Sequence, residues 1–175
     1  MTRSARSREE RQRPGPSGRA AARLAAVQAL YQMGMTGESA PVVIDDFLRH
    51  RLSGAGRDAE AIRLDAPDQE FFRELVAGVA RESGPLEDML TAVLAEDWPV
   101  ERLESLLRLI LCAGAFELGH RPEIPARVAV SQYVDLAHAF LDDRQTAMVN
   151  GVLDRLARYL RPEEFAGEAP PDLAD

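Results

Sequence analysis

Three histidines, one cysteine and a few paired carboxylates are the groups from which this chain could build a catalytic or metal site. His50, His120 and His138 stand far apart, with no cysteine or carboxylate at ligand spacing. Cys112 lies in the most apolar stretch, where a lone thiol behaves as a small hydrophobe. Asp45-Asp46, Asp142-Asp143 and Glu163-Glu164 are adjacent pairs, whose side chains diverge on a helix. They read as solvated caps and faces. There is no Gly-rich phosphate loop, no HExxH, no CxxC and no GxSxG. The expectation is a non-enzyme with no catalytic residue, cofactor or metal.

Arginine offers a different chemistry, the gripping of phosphate. Arg3, Arg6, Arg8, Arg11, Arg13 and Arg19 face only Glu9 and Glu10, so residues 1–19 carry +4. The whole chain is at −8, which leaves −12 on the remainder. A basic arm on an acidic body separates a surface that attracts nucleic acid from one that repels it. All 21 cationic side chains are Arg, which forks onto phosphate and stacks on bases better than Lys. A GC-rich genome that favours Arg codons explains the bias equally well.

Elements must position these groups. Residues 1–18 are polar, with Pro14-Gly15-Pro16-Ser17-Gly18, and read as a disordered arm. From Arg19 a helix carries Leu24, Val27 and Tyr31 toward a core. Arg19 and Arg23 sit within about 40° of each other on its edge, and Gln28 on the far edge. The two form a short track for a nucleic-acid backbone, or the solvated side of an ordinary amphipathic helix. A second helix starts near Pro41 and buries Ile44, Phe47, Leu48 and Leu52. A long loop follows, from Ser53 to Pro67. Asp68 caps a third helix, ended by Gly84-Pro85, and Leu86 to Leu94 supply a fourth.

Trp98-Pro99 starts a fifth helix, apolar around most of its circumference and so the most buried. Pro125 opens a sixth. A seventh follows Asp142-Asp143 and stops at Arg161-Pro162, and residues 162–175 read as a disordered acidic, Pro-rich tail. Within the seventh, Gly151 costs the helix about 1 kcal/mol relative to Ala. It serves either close helix packing or a surface left open to a partner. The expected fold is all-α, about seven helices, with one helical domain over 19–161.

Hydrophobic residues at 46% suffice for a core, and aromatics at 6% leave it to Leu, Val, Ile and Ala. No apolar run reaches the roughly 18–20 residues of a membrane span, and the basic N-terminus lacks a signal's apolar stretch. A cytoplasmic location without membrane contact is the default expectation.

Five segments in order carry a family resemblance. They are RLAAVQALY (Arg23 to Tyr31), FRELVAGV (Phe72 to Val79), Phe116-Glu117-Leu118, IPARVAV (Ile124 to Val130) and VNGVLD (Val149 to Asp154). Over roughly residues 19–160 the chain resembles the NusB family of bacterial transcription antitermination factors. The resemblance implies two packed helical subdomains that bind single-stranded boxA RNA together with NusE, a ribosomal protein. It implies a larger complex with NusA, NusG and RNA polymerase that suppresses premature termination, notably in ribosomal RNA operons. On the family pattern, RNA contact falls to Arg19, Arg23 and Gln28 on the first helix. It falls also to Arg144, Gln145 and Met148 before VNGVLD. Tyr31 supports complex assembly, and a homodimer of the free protein stays open.

The chain departs from the pattern at several places. Cys112 and Phe116 stand where relatives usually have Arg and Tyr, and Ser131-Gln132 replaces a common Asn-Glu pair. Met148 replaces a frequent Phe, removing an aromatic face worth about 1–3 kcal/mol per stacked base. Two rival readings accompany the resemblance. One is a helical protein–protein interaction module that never meets RNA. The other is the leading domain of a ribosomal-RNA methyltransferase, not expected here because no cofactor-binding domain precedes Asp175.

Overall fold

Alanines decide how the first helices meet. In this computed structural model, which describes residues 16–52, 67–95 and 98–168, α1 spans Pro16–Thr36. It buries Ala22, Ala25, Ala26, Val27, Ala29 and Leu30. Small side chains at these positions let α2 (Ala40–His50) and α3 (Gln69–Arg81) come close. Those helices answer with bulk: Val43 and Phe47 from α2, and Phe71, Phe72, Leu75, Val76 and Val79 from α3. The rings of Phe47 and Phe72 stack at 5.7 Å between centroids.

Local chemistry sets the helix ends. Gly37 takes a φ of 73°, a left-handed conformation that glycine adopts without strain, and closes α1 with its N–H on the Met33 carbonyl. The Asp68 carboxylate accepts the Phe71 N–H at 3.0 Å and caps α3, as its position before the apolar run predicts. The Asp68 N–H in turn donates to the Gly18 carbonyl, so the starts of α1 and α3 are tied together.

The chain divides into two compact units, residues 1–81 and 82–175. The second is built around α5 (Ser105–His120), which is buried at every position from Ile110 to Leu118. It packs with α4 (Ser83–Thr91), α6 (Ala126–Phe140) and α7 (Asp143–Leu160). Gly114 marks the closest approach: a Cβ there would lie 2.7 Å from Leu153 Cδ1 and 3.4 Å from Tyr133 Cδ2. The buried Tyr133 hydroxyl donates to Glu117 at 2.8 Å, giving that carboxylate a partner inside the core. Cys112 is 4% exposed, and burial pushes its thiol up to about 12, so it stays an inert apolar side chain.

Arg161, beyond the end of α7, is 5% exposed. Its guanidinium donates to the carbonyls of Leu118 (2.8 Å), Ile124 (2.6 Å), Glu117 (3.2 Å) and Arg121 (3.0 Å), and to Glu164 (3.1 Å). Among these, the Leu118 carbonyl at the end of α5 has no helical N–H to accept, because residue 122 is proline. Glu164 reaches on to accept the Ala126 N–H at 2.7 Å, capping α6 from 38 residues away. That bond, with Arg161 beside it, holds the Glu164 carboxyl below the usual carboxylate range.

Among the described residues the fold is all-α with seven α-helices. The bounds differ from expectation at four places. Helix α1 begins at Pro16, inside the expected arm; residues 1–15, with the other arginines of the arm, lie outside the described residues. Gly84-Pro85 does not end α3 but sits in the first turn of α4, where proline is tolerated. Pro99 leads only a short 3-10 turn, Val100–Arg102, because Leu103 returns to extended backbone before α5. The expected tail is ordered at its start: Pro162–Phe165 form a 3-10 turn with Phe165 buried, and Glu168 pairs with Arg127. Residues 169–175, and residues 53–66 of the expected long loop, lie outside the described residues. No helix among the described residues is long and apolar enough to cross a membrane.

Candidate nucleic-acid interface

The start of α1 places its two arginines on the side that meets α3. Arg19 is the more open, with 38% of its side chain exposed. Its guanidinium carbon lies 5.8 Å from the centre of the Phe71 ring, and its Nε lies 4.0 Å from Asp68 Oδ2. At that separation, near the surface, the pair contributes little and leaves the guanidinium free to exchange partners. Arg23 is different. It is 3% exposed, with its guanidinium carbon 5.2 Å from the centre of the same ring.

That burial differs from the expected solvated track, and the alanines explain it. Leu24 and Tyr31, expected to face the core, are half-buried and 43% exposed respectively. The helix instead turns its alanine face inward, and Arg23 lies on that face, carrying its aliphatic stem and planar head over Phe71. Gln28 is exposed. At ~100° per residue it lies about 180° from Arg19, on the wall that also holds Tyr31 and Met35. Met35 is 72% exposed, so this opposite wall is mixed polar and apolar. The expected residues of α1 therefore fall on two faces.

The second expected cluster lies at the start of α7. Asp142 caps the helix, accepting the Gln145 N–H at 2.7 Å, while the Gln145 side chain accepts the Asp142 N–H at 3.3 Å. The Gln145 amide also donates to Glu104 at 2.8 Å. This reciprocal cap uses both ends of the Gln145 carboxamide. Arg144 is exposed and lies over the indole of Trp98, its guanidinium carbon 5.2 Å from the ring centre. Met148, one turn on, is half-buried, and Gly151 follows on the same stripe. A Cβ on Gly151 would meet nothing within 4 Å, so of the two roles left open for this glycine the structure supports the open surface. Close packing belongs to Gly114.

Sequence reasoning missed three participants: Asp68 and Phe71 beside Arg19, and Trp98 beside Arg144. Asp68 was legible as a cap. Its approach to Arg19 depends on a hydrogen bond between residues 18 and 68, and no local pattern announces that. Of the histidines, His50 is exposed near Asp46, and His138 is exposed. His120 stacks on Phe116 at 4.3 Å and holds Glu82 at 3.0 Å, tying the end of α5 to the start of α4. Among the described residues no cluster of three His, Cys, Asp or Glu side chains could hold a metal ion.

Comparison with known proteins places this geometry in context. The sequence model of the NusB family matches residues 20–158. A transcription antitermination protein NusB from Rhodopseudomonas palustris (strain BisB18) is 43% identical over 160 residues, covering 88% of this chain and 93% of the relative. A protein of the same description from Nitrobacter hamburgensis is 46% identical over 148 residues, covering 85% and 91%. Among solved structures, a NusB from T. maritima superposes with a TM-score of 0.67 at 25% identity, covering 87% of this chain and 99% of that one. A crystal structure of the antitermination factors NusB and NusE in complex with double-stranded RNA gives 0.65 at 22% identity, covering 83% and 99%. The last of these shows likeness of fold.

Proposed function

This chain belongs to the NusB family, and on that premise we propose that it is a transcription antitermination factor. It acts as a non-enzymatic adapter that binds single-stranded boxA RNA together with the ribosomal protein NusE. In the larger complex with NusA, NusG and RNA polymerase it suppresses premature termination, notably in ribosomal RNA operons. The observation that carries the RNA half of this reading is Arg19. It is a half-exposed guanidinium at the head of α1, continuing a basic N-terminal segment, with, among the described residues, one long ion pair that phosphate can displace. Affinity then comes from counterion release, and sequence preference from the edges of unpaired bases.

The residues divide into roles. Arg19 and Arg144 meet the RNA, and Met148 lines the strand's path. Arg23 is a positioning residue that holds Phe71 under Arg19. Gln145 shapes the start of α7. Tyr31, with Gln28 and Met35 on the same wall of α1, receives the protein partner. An acidic remainder suits a basic ribosomal protein and speeds encounter.

The test is a salt titration of boxA RNA binding by Arg19→Ala and Arg23→Ala. R19A is expected to melt like the parent and to flatten the plot of log affinity against log salt by ~0.7, one phosphate contact on a single strand. R23A is expected to lower the melting temperature. Parental affinity and slope in R19A would remove the RNA edge from α1. RNA-independent capture of the ribosomal protein would then favour the interaction-module reading, which the exposed Tyr31 and Met35 also suit.

A further inference from the structure

We infer that Trp98 is a stacking platform for an RNA base, covered by Arg144 in the free protein. This deepens the RNA-binding reading and rests on it. Trp98 is the chain's one tryptophan. It is half-buried in the approach to α5, its backbone N–H held by the Ala95 carbonyl at 2.9 Å. The exposed Arg144 guanidinium lies 5.2 Å from its ring centre. Among the described residues Arg144 makes no ion pair, so the ring is its principal contact there. A guanidinium held on an aromatic face by a cation–π contact near the surface is weakly bound, on the order of 0.5–1 kcal/mol. It exchanges that face for a phosphate oxygen at little cost.

The surroundings select the occupant. Along α7 the stripe below Arg144 runs through half-buried Met148 to Gly151, whose Cα faces open space. A strand can lie against this low surface, next to the ring. Glu101 and Asp143, close in sequence to Trp98 and Arg144, are exposed and acidic, so the place attracts phosphate poorly beyond what Arg144 supplies. A neutral, planar, polarisable ligand fits, which is the description of a nucleobase. Stacking on Trp98 supplies an aromatic face without changing the charge of the site.

The sole tryptophan provides the readout. The full chain is titrated at low ionic strength with end-labelled single-stranded boxA RNA, following both RNA anisotropy and Trp98 emission. The expected result is quenching along the same isotherm as the anisotropy, lost when one nucleotide is replaced by an abasic site. Trp98→Leu is expected to weaken binding ~10-fold with an unchanged salt slope, and Trp98→Phe to recover most of that loss. This separates stacking from the Arg19 contact, whose removal changes the slope. Should W98L fail to fold, W98F and the parent's emission still decide. RNA that binds by anisotropy while Trp98 emission stays constant overturns the platform and leaves the RNA reading intact. So does equal loss in W98F and W98L with no abasic dependence. No anisotropy change at any RNA concentration overturns the RNA reading, and the platform with it.

Discussion

Arg161 and Arg19 stand in different units and show two uses of the same side chain. Arg161 is 5% exposed, and its donors are taken up by four backbone carbonyls and a carboxylate. Arg19 has 38% of its side chain exposed and, among the described residues, one ion pair at 4.0 Å and an aromatic ring at 5.8 Å. The first guanidinium is scaffold, because its removal leaves the Leu118 and Ile124 carbonyls without the donors that now hold them. The second can bind a ligand, because its present partners are weak and replaceable. In an all-arginine chain, residue type cannot tell them apart; the fate of the donors does.

The largest effect should come from Arg161→Ala. It strands the Leu118 and Ile124 carbonyls and releases Glu164, so unfolding free energy is expected to fall by about 3 kcal/mol. Chemical denaturation of the purified variant checks this; a loss below about 1 kcal/mol would mean that water replaces the guanidinium and that Arg161 is as exchangeable as Arg19.

The two mid-helix glycines sharpen the same contrast between filled and open surface. Gly114→Ala pushes a methyl into Leu153 and is expected to cost about 1–3 kcal/mol. Gly151→Ala meets empty space and gains helix propensity, so the parent's stability or up to about 1 kcal/mol more is expected. Thermal melts of the pair decide it: equal losses in both would mean that Gly151 is packed in solution.

Much of this was legible in the sequence because it is written locally. Seven periodic apolar segments, the Asp68 and Asp142 caps and the buried Ile110–Leu118 stretch all depend on neighbours within a turn or two. The rotation of α1 was not legible. Large apolar residues pointed to a Leu24–Val27–Tyr31 stripe, whereas the contact face is set by Ala22, Ala25, Ala26 and Ala29, whose value lies in how closely Phe71 and Phe72 can approach. That is a property of the partner helix. The same cause buried Arg23, whereas the separation of Gln28 from Arg19 follows from their spacing alone. The ordered start of the C-terminal segment was hidden because Pro162-Glu163-Glu164 reads as solvated, yet Glu164 and Phe165 find partners on α6 and in the core.

The central claim is that an acidic helical protein grips an unpaired transcript through a few exchangeable arginines. Its most direct test is a gel shift of single-stranded boxA RNA with the full chain, with and without the ribosomal partner, beside a scrambled strand and a duplex. The account predicts a weak shift with the chain alone, a much stronger one with the partner, and preference for the unpaired boxA strand. Equal shifts for all three nucleic acids, or none at low ionic strength with the partner present, would contradict it.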